Sequence, residues 1–173
     1  DTYDQMAIGG TENPEIVYGF GVNLRWKELD FGAMFQGIGR TWRILSSNIM
    51  PASNKGSMYN IFDNYQDRWT VDNQSQDVFY PRADYGPNAN NSQKSTWWLR
   101  NMSFLRLKNL ELGYSCPKKW LQGFVISNAR VFVRGTNLLT FSKFNLWDPE
   151  LATGDGAKYP AMKSVSVGFD ITF

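Results

Sequence analysis

Two stretches of this chain alternate apolar and polar residues almost without error, and that period of two limits the folds open to it. In "IVYGFGVNLRW", Ile16 to Trp26, every even position is apolar: Ile16, Tyr18, Phe20, Val22, Leu24 and Trp26. Between them lie Val17, Gly19, Gly21, Asn23 and Arg25. In "SVSVGFDITF", Ser164 to Phe173, Val165, Val167, Phe169, Ile171 and Phe173 alternate with Ser164, Ser166, Gly168, Asp170 and Thr172. Successive side chains of a strand point to opposite faces, so each stretch is a strand with one apolar and one polar face.

The same phase recurs elsewhere. Leu29, Phe31, Ala33 and Phe35 alternate with Asp30, Gly32, Met34 and Gln36, and only Lys27-Glu28 separates them from the first strand. That spacing predicts a tight hairpin of strands over about 16–26 and 28–37. A third strand, about 103–115, reads "SFLRLKNLELGYS"; its apolar phase slips from Leu105 and Leu107 to Leu110, Leu112 and Tyr114, which predicts a bulge near Lys108-Asn109. A fourth, about 128–139, sets Ala129, Val131 and Val133 against Arg130, Phe132, Arg134 and Thr136. The fifth is 164–173. Long connections of about 38–97 and 140–163 separate them, and connections of such length are usually functional. Met58, Ile61, Phe62, Tyr65 and Trp69 sit at helical spacing, predicting one amphipathic helix from about Ser57 to Trp69.

Composition excludes several functions. There are 18 Lys and Arg against 16 Asp and Glu, a net charge of +2, and no long basic run, so no nucleic-acid footprint is present. Histidine is absent, which removes the usual base of a serine or cysteine triad. The single cysteine, Cys116, allows neither an internal disulfide nor a multi-thiolate metal site, and with no neighbouring base it reads as inert. "GFGVNL" and "GIGRTW" lack the third glycine of a dinucleotide loop. Asp148, Glu150 and Asp155 match no EF-hand spacing and read as loop solvation. We read no enzyme, no catalytic, metal or cofactor-binding residue, and no cofactor. The chain starts at Asp1 without a Met or signal peptide, so it is expected to be a piece of a longer polypeptide.

Aromatic residues are abundant (7 Trp, 8 Tyr, 12 Phe) although the mean hydropathy is only -0.42. No window approaches 18 consecutive apolar residues, but a transmembrane β-strand needs only about 9–11 residues. Two architectures fit: a soluble, aromatic-rich β-sandwich that binds carbohydrate, or the wall of a membrane barrel. Three features favour the barrel. Connections alternate short and long, as they do when one end meets the periplasm and the other the exterior. Aromatic residues crowd strand ends, with Trp26, Tyr114, Trp120 and Phe173 at one level and Trp42, Trp97, Trp98 and Phe141 at the other, like interfacial girdles. The polar faces carry Arg25, Asp30, Arg130, Arg134 and Asp170 among glycines. With a periplasmic C-terminus, both long loops fall outside the cell.

Several blocks also carry a family resemblance. "SFLRLKNLELGYSCPKKWL" (Ser103 to Leu121), "ARVFVRGTNLLTFSKF" (Ala129 to Phe144), "DPE" (Asp148 to Glu150), "YP" (Tyr159-Pro160) and the final "SVGFDITF" resemble, in order, the C-terminal part of the SusC/RagA family of TonB-linked outer-membrane transporters. "IGGTENPEIVYGFGVNLRWKELDFGAMFQG" (Ile8 to Gly37) and "DRWTVDN" (Asp67 to Asn73) resemble the preceding strands and loop; Cys116 is unusual in its run. The resemblance implies an all-β fold: the last five antiparallel strands of a barrel of about 22 strands with a plugged lumen, in the outer membrane of a Gram-negative bacterium. It further implies import of glycans or peptides with a SusD-like surface lipoprotein as lid, energy from TonB through a plug in the remainder of the protein, and no nucleic-acid partner. Phe169, Ile171 and Phe173 would form the signal read by the barrel-assembly machinery, on a face bathed in membrane lipid. Tyr59, Trp69, Tyr80, Tyr85 and Trp147 are the candidate substrate or lid contacts, and Arg130 and Arg134 the candidate lumen residues.

Overall fold

The computed structural model describes residues 5–46, 49, 62–83, 88–91, 93–123 and 125–173. Among these, seven strands form: β1 (Ile16–Trp26), β2 (Leu29–Gly39), β3 (Trp42–Ile44), β4 (Leu99–Asn101), β5 (Phe104–Ser115), β6 (Asn128–Ser142) and β7 (Ser164–Thr172). Five of them make an antiparallel sheet in the order β1-β2-β5-β6-β7, and β3 pairs with β4 in a separate ribbon. The chain divides into two compact units. One is Asp1–Gly9, Arg43–Arg100 and Thr153–Ala157; the other is Gly10–Trp42, Asn101–Ala152 and Lys158–Phe173.

The five-stranded sheet belongs to the second unit, and its register follows from the alternation. Trp26 pairs with Leu29 across a two-residue turn in which Lys27 takes a φ of 53°. The pairing continues Phe20 to Phe35 and Val22 to Ala33, so apolar side chains of both strands share one face. The phase slip in β5 is a bulge: the register shifts between Met34 and Phe35 on one side and between Leu107 and Asn109 on the other. On β6, Asn137 and Leu138 together oppose Lys108, and Asn137 adopts a φ of 52°. An extra residue of this kind needs the left-handed region, which Asn tolerates better than most residues. Pro117 follows β5 and caps the four-residue helix α1 (Lys118–Leu121), because proline can enter a helix start but not extend a ladder.

The long excursion of the first unit has its own aromatic core. Leu45, Tyr80 and Trp98 are fully buried. The Phe79 and Tyr80 rings meet edge-on at 4.6 Å, and Tyr65 lies 5.6 Å from Tyr80. Trp98 Nε1 donates to Asn91 O and Trp97 Nε1 to Phe79 O, so neither indole is buried without a partner. The expected helix over Ser57 to Trp69 is not formed where the structure describes it. Only Asp63–Gln66 is helical, a 3-10 turn, and Arg68 and Tyr80 form a bridge just beyond it. Residues 57–61 of that expectation lie outside the described residues. The apolar spacing there reports Tyr65 packing on Tyr80, not a continuous helix face.

Candidate functional site

The sheet has two chemically distinct faces, and these together are the candidate site. On the apolar face, residues align in rows across strands. One row is Trp26, Leu29, Tyr114, Val131 and Phe169; another is Tyr18, Gly37, Leu105 and Phe141. The rows lie eight residues apart on β1, roughly 26 Å along a strand at about 3.3 Å per residue. At a tilt near 40° this becomes roughly 20 Å, close to the apolar band of an outer-membrane barrel. Much of this face is open among the described residues: Val167 is 69% exposed, Phe169 76% and Phe20 55%, while Ala33 and Leu107 in the middle of the sheet are buried. A sandwich would bury these side chains beneath a second sheet. An apolar surface this continuous marks contact with a membrane or a partner.

At the second row the girdle differs from expectation. Trp98 is buried and Trp97 is tied to Phe79 O, so both serve the loop core; Phe141 lies in the sheet row as expected, and Tyr18 joins it there. Tyr18 lies over Gly37 and donates its hydroxyl to Phe104 O at 3.2 Å.

The polar face is an ion-pair network built on β6. Arg130, Phe132 and Arg134 project from alternate positions of one strand, and both guanidinium groups lie over the Phe132 ring, at 5.0 and 5.2 Å. Arg130 bonds Asp30 of β2 at 2.5 Å, Glu111 of β5 at 2.6 Å and Asp170 of β7 at 3.3 Å. Arg134 bonds Glu111 at 2.6 Å. The planar fork of arginine suits such multiple carboxylate contacts, which lysine would not reproduce. Gly113 leaves the Arg130–Asp30 pair room to lie flat, since a Cβ there would overlap both groups. Beside the network, Gly19, Gly21 and Gly32 pave a concavity of about 860 Å³ edged by Asn23, Arg25 and Glu111.

No family model matches the chain. A TonB-dependent receptor of Formosa agariphila is 31% identical over 185 residues, covering 98% of this chain and 18% of its own length. A second TonB-dependent receptor of that organism is 27% identical over 189 residues, covering 99% and 18%. The TonB-dependent receptor SusC of Bacteroides thetaiotaomicron is 33% identical over 81 residues, covering 46% of this chain and 8% of its own. Among solved structures, the RagAB peptide importer in its closed-closed state is 35% identical with a TM-score of 0.76, covering 96% of this chain and 18% of that one. The chain belongs to the SusC/RagA family of TonB-linked transporters. It spans about 18% of the length of the first curated relatives it matches.

For a SusC/RagA segment the candidate residues sort clearly. Arg130 and Arg134, the candidate lumen residues, have their charges met by Asp30, Glu111 and Asp170. Tyr80 is 1% exposed and packs the loop core, so in this structure it presents no surface to a ligand. Trp69 and Trp147 are partly exposed, and Trp147 meets Phe144 edge-on at 4.9 Å. Tyr59 and Tyr85 lie outside the described residues. Phe169, Ile171 and Phe173 project from the apolar edge strand and beyond it, all exposed.

One group escaped the sequence reading. Asp148 and Glu150 do not simply face solvent: they pair with Arg106 and Lys108 of β5. The signal is two doublets of equal spacing and opposite charge, 106/108 and 148/150, but nothing in one sequence matches them to each other. Asp155 instead accepts a hydrogen bond from Ala157 N at 3.0 Å.

Proposed function

We propose that this chain is a wall segment of a TonB-dependent outer-membrane importer for glycans or peptides, and that it supplies five strands, two surface loops and the assembly signal. The exposed apolar face opposite an ion-paired polar face carries this reading. Lipid on one side and a polar lumen on the other account for both faces, whereas water on both sides leaves the apolar face unexplained. The open edges of β1 and β7 are then completed by strands from the remainder of the protein, since an unclosed sheet edge does not persist in hydrocarbon. The family resemblance and the RagAB and SusC likenesses support a SusD-like lipoprotein partner, a plug engaged by TonB, a periplasmic C-terminus, and recognition of Phe169, Ile171 and Phe173 by the barrel-assembly machinery. Trp69 and Trp147 are the described aromatic residues retained as substrate or lid contacts.

The test uses the full protein in its own host. It is expected in the outer-membrane fraction, and removal of Phe173 is expected to lower its amount there. A deletion strain grown on separate glycans and on peptide mixtures of defined length should lose growth on one class, and loss of TonB should reproduce the defect. Full protein found in the cytosolic fraction, with assembly indifferent to Phe173, overturns the reading.

A further inference from the structure

The loop between β6 and β7 is tied to the polar face of β5 by charge. Arg106, 1% exposed, donates from Nη2 to Asp148 Oδ1, and its Nη1 lies 3.5 Å from Glu150 Oε2. Lys108 Nζ lies 3.2 Å from Glu150 Oε1. Lys108 is the bulge residue of β5, and bulges re-aim side chains at such places. Asp148 Oδ1 also accepts the Glu150 N–H at 3.0 Å and so fixes the 3-10 turn Pro149–Leu151 that presents both carboxylates. Further ties hold each end of the loop. Ser142 Oγ donates to Ser103 O, Phe144 and Pro149 are buried, and Asn137 Nδ2 donates to Met162 O.

We propose that this loop is a fixed shelf at the transporter's outer mouth, with Arg106 and Lys108 as its positioning residues. The proposal rests on the importer reading for the direction in which the polar face points. A gate must open repeatedly, and opening this loop would strand a buried guanidinium without its carboxylates, which is strongly unfavourable. The shelf therefore narrows the mouth in every state of the cycle, and cargo passes beside it.

Trypsin applied to intact cells carrying the full transporter tests this at Lys143, Lys158 and Lys163 within the loop. Cutting of a folded loop reports the population of its opened form, so Arg106→Gln and Lys108→Glu should each raise the rate by about tenfold or more. Lys108→Arg, which keeps the charge that meets Glu150, should stay within about twofold of the parent. If Arg106→Gln does not assemble, the two variants at the partly exposed Lys108 decide alone. Parent cells should show equal cleavage with and without a protonophore. Rapid cleavage of the parent, equal loss of protection in Lys108→Arg and Lys108→Glu, or protection lost only in energised cells would each overturn the shelf. Failure of the importer reading would show separately, as absence from the outer-membrane fraction, and the purified full protein would still score the two Lys108 variants.

Discussion

Gly37 shows how one residue without a side chain shapes the wall. A Cβ there would stand 2.6 Å from Phe104 O and overlap the Tyr18 ring, which lies across the gap and hydrogen-bonds that same carbonyl. Backbone cannot yield as the tip of a lysine can, so Gly37→Ala should cost about 1–3 kcal/mol through forced displacement. Tyr18→Phe keeps the ring and loses one hydrogen bond, which contributes roughly 0.5–1.5 kcal/mol. Thermal unfolding of the full protein in detergent should therefore rank Gly37→Ala below Tyr18→Phe and both below the parent; the reverse order would show that the ring does not need the gap. Residues with such roles are hard to see in the sequence. "GIGRTW" offers two glycines, Gly37 and Gly39, and nothing in it says which one a tyrosine of the neighbouring strand will cover.

Strands and loops differ in how legible they are, and the reason is the range of the forces that set them. A strand with unlike solvents on its two faces writes a period of two into itself, so β1, β2 and β7 are evident from local sequence. The bulge was legible too, because inserting Lys108 flips the phase of every residue after it. The excursion is set instead by contacts between aromatic residues distant in sequence, such as Tyr80 with Trp98 at 6.3 Å, and its spacing imitated a helix. Burial of Tyr80, with a smaller contribution from Tyr65, pushes its hydroxyl up to about 12 from an ordinary 10.0. A raised value means that the folded loop favours the neutral phenol. Its contribution to stability is complete below about pH 10 and is lost as pH rises toward about 12. A phenolate absorbance titration of the full protein should contain a late step that Tyr80→Phe removes; a curve unchanged by that substitution would place Tyr80 in water.

For the whole molecule, the deciding property is which solvent each face of the sheet meets. The polar face largely neutralises itself: Arg130 and Arg134 are met by Asp30, Glu111 and Asp170, and Arg106 and Lys108 by Asp148 and Glu150. A wall with paired charges can line a polar lumen without holding on to whatever passes. The apolar face has no such groups, and its middle row runs Val22, Ala33, Leu110, Gly135 and Val165. Val22 and Asn23 are neighbours in sequence that face opposite ways, which makes them a direct probe. An arginine at the bilayer midplane costs about 2–4 kcal/mol, so on the proposed reading Val22→Arg should lower both the thermal stability and the outer-membrane yield of the full protein. Asn23 edges the 860 Å³ concavity, where a longer side chain has room, so Asn23→Arg should stay within about 0.5 kcal/mol of the parent. Were water on both sides, the exposed Val22 would accept arginine as readily as Asn23 does, and equal behaviour of the two variants would refute the membrane assignment.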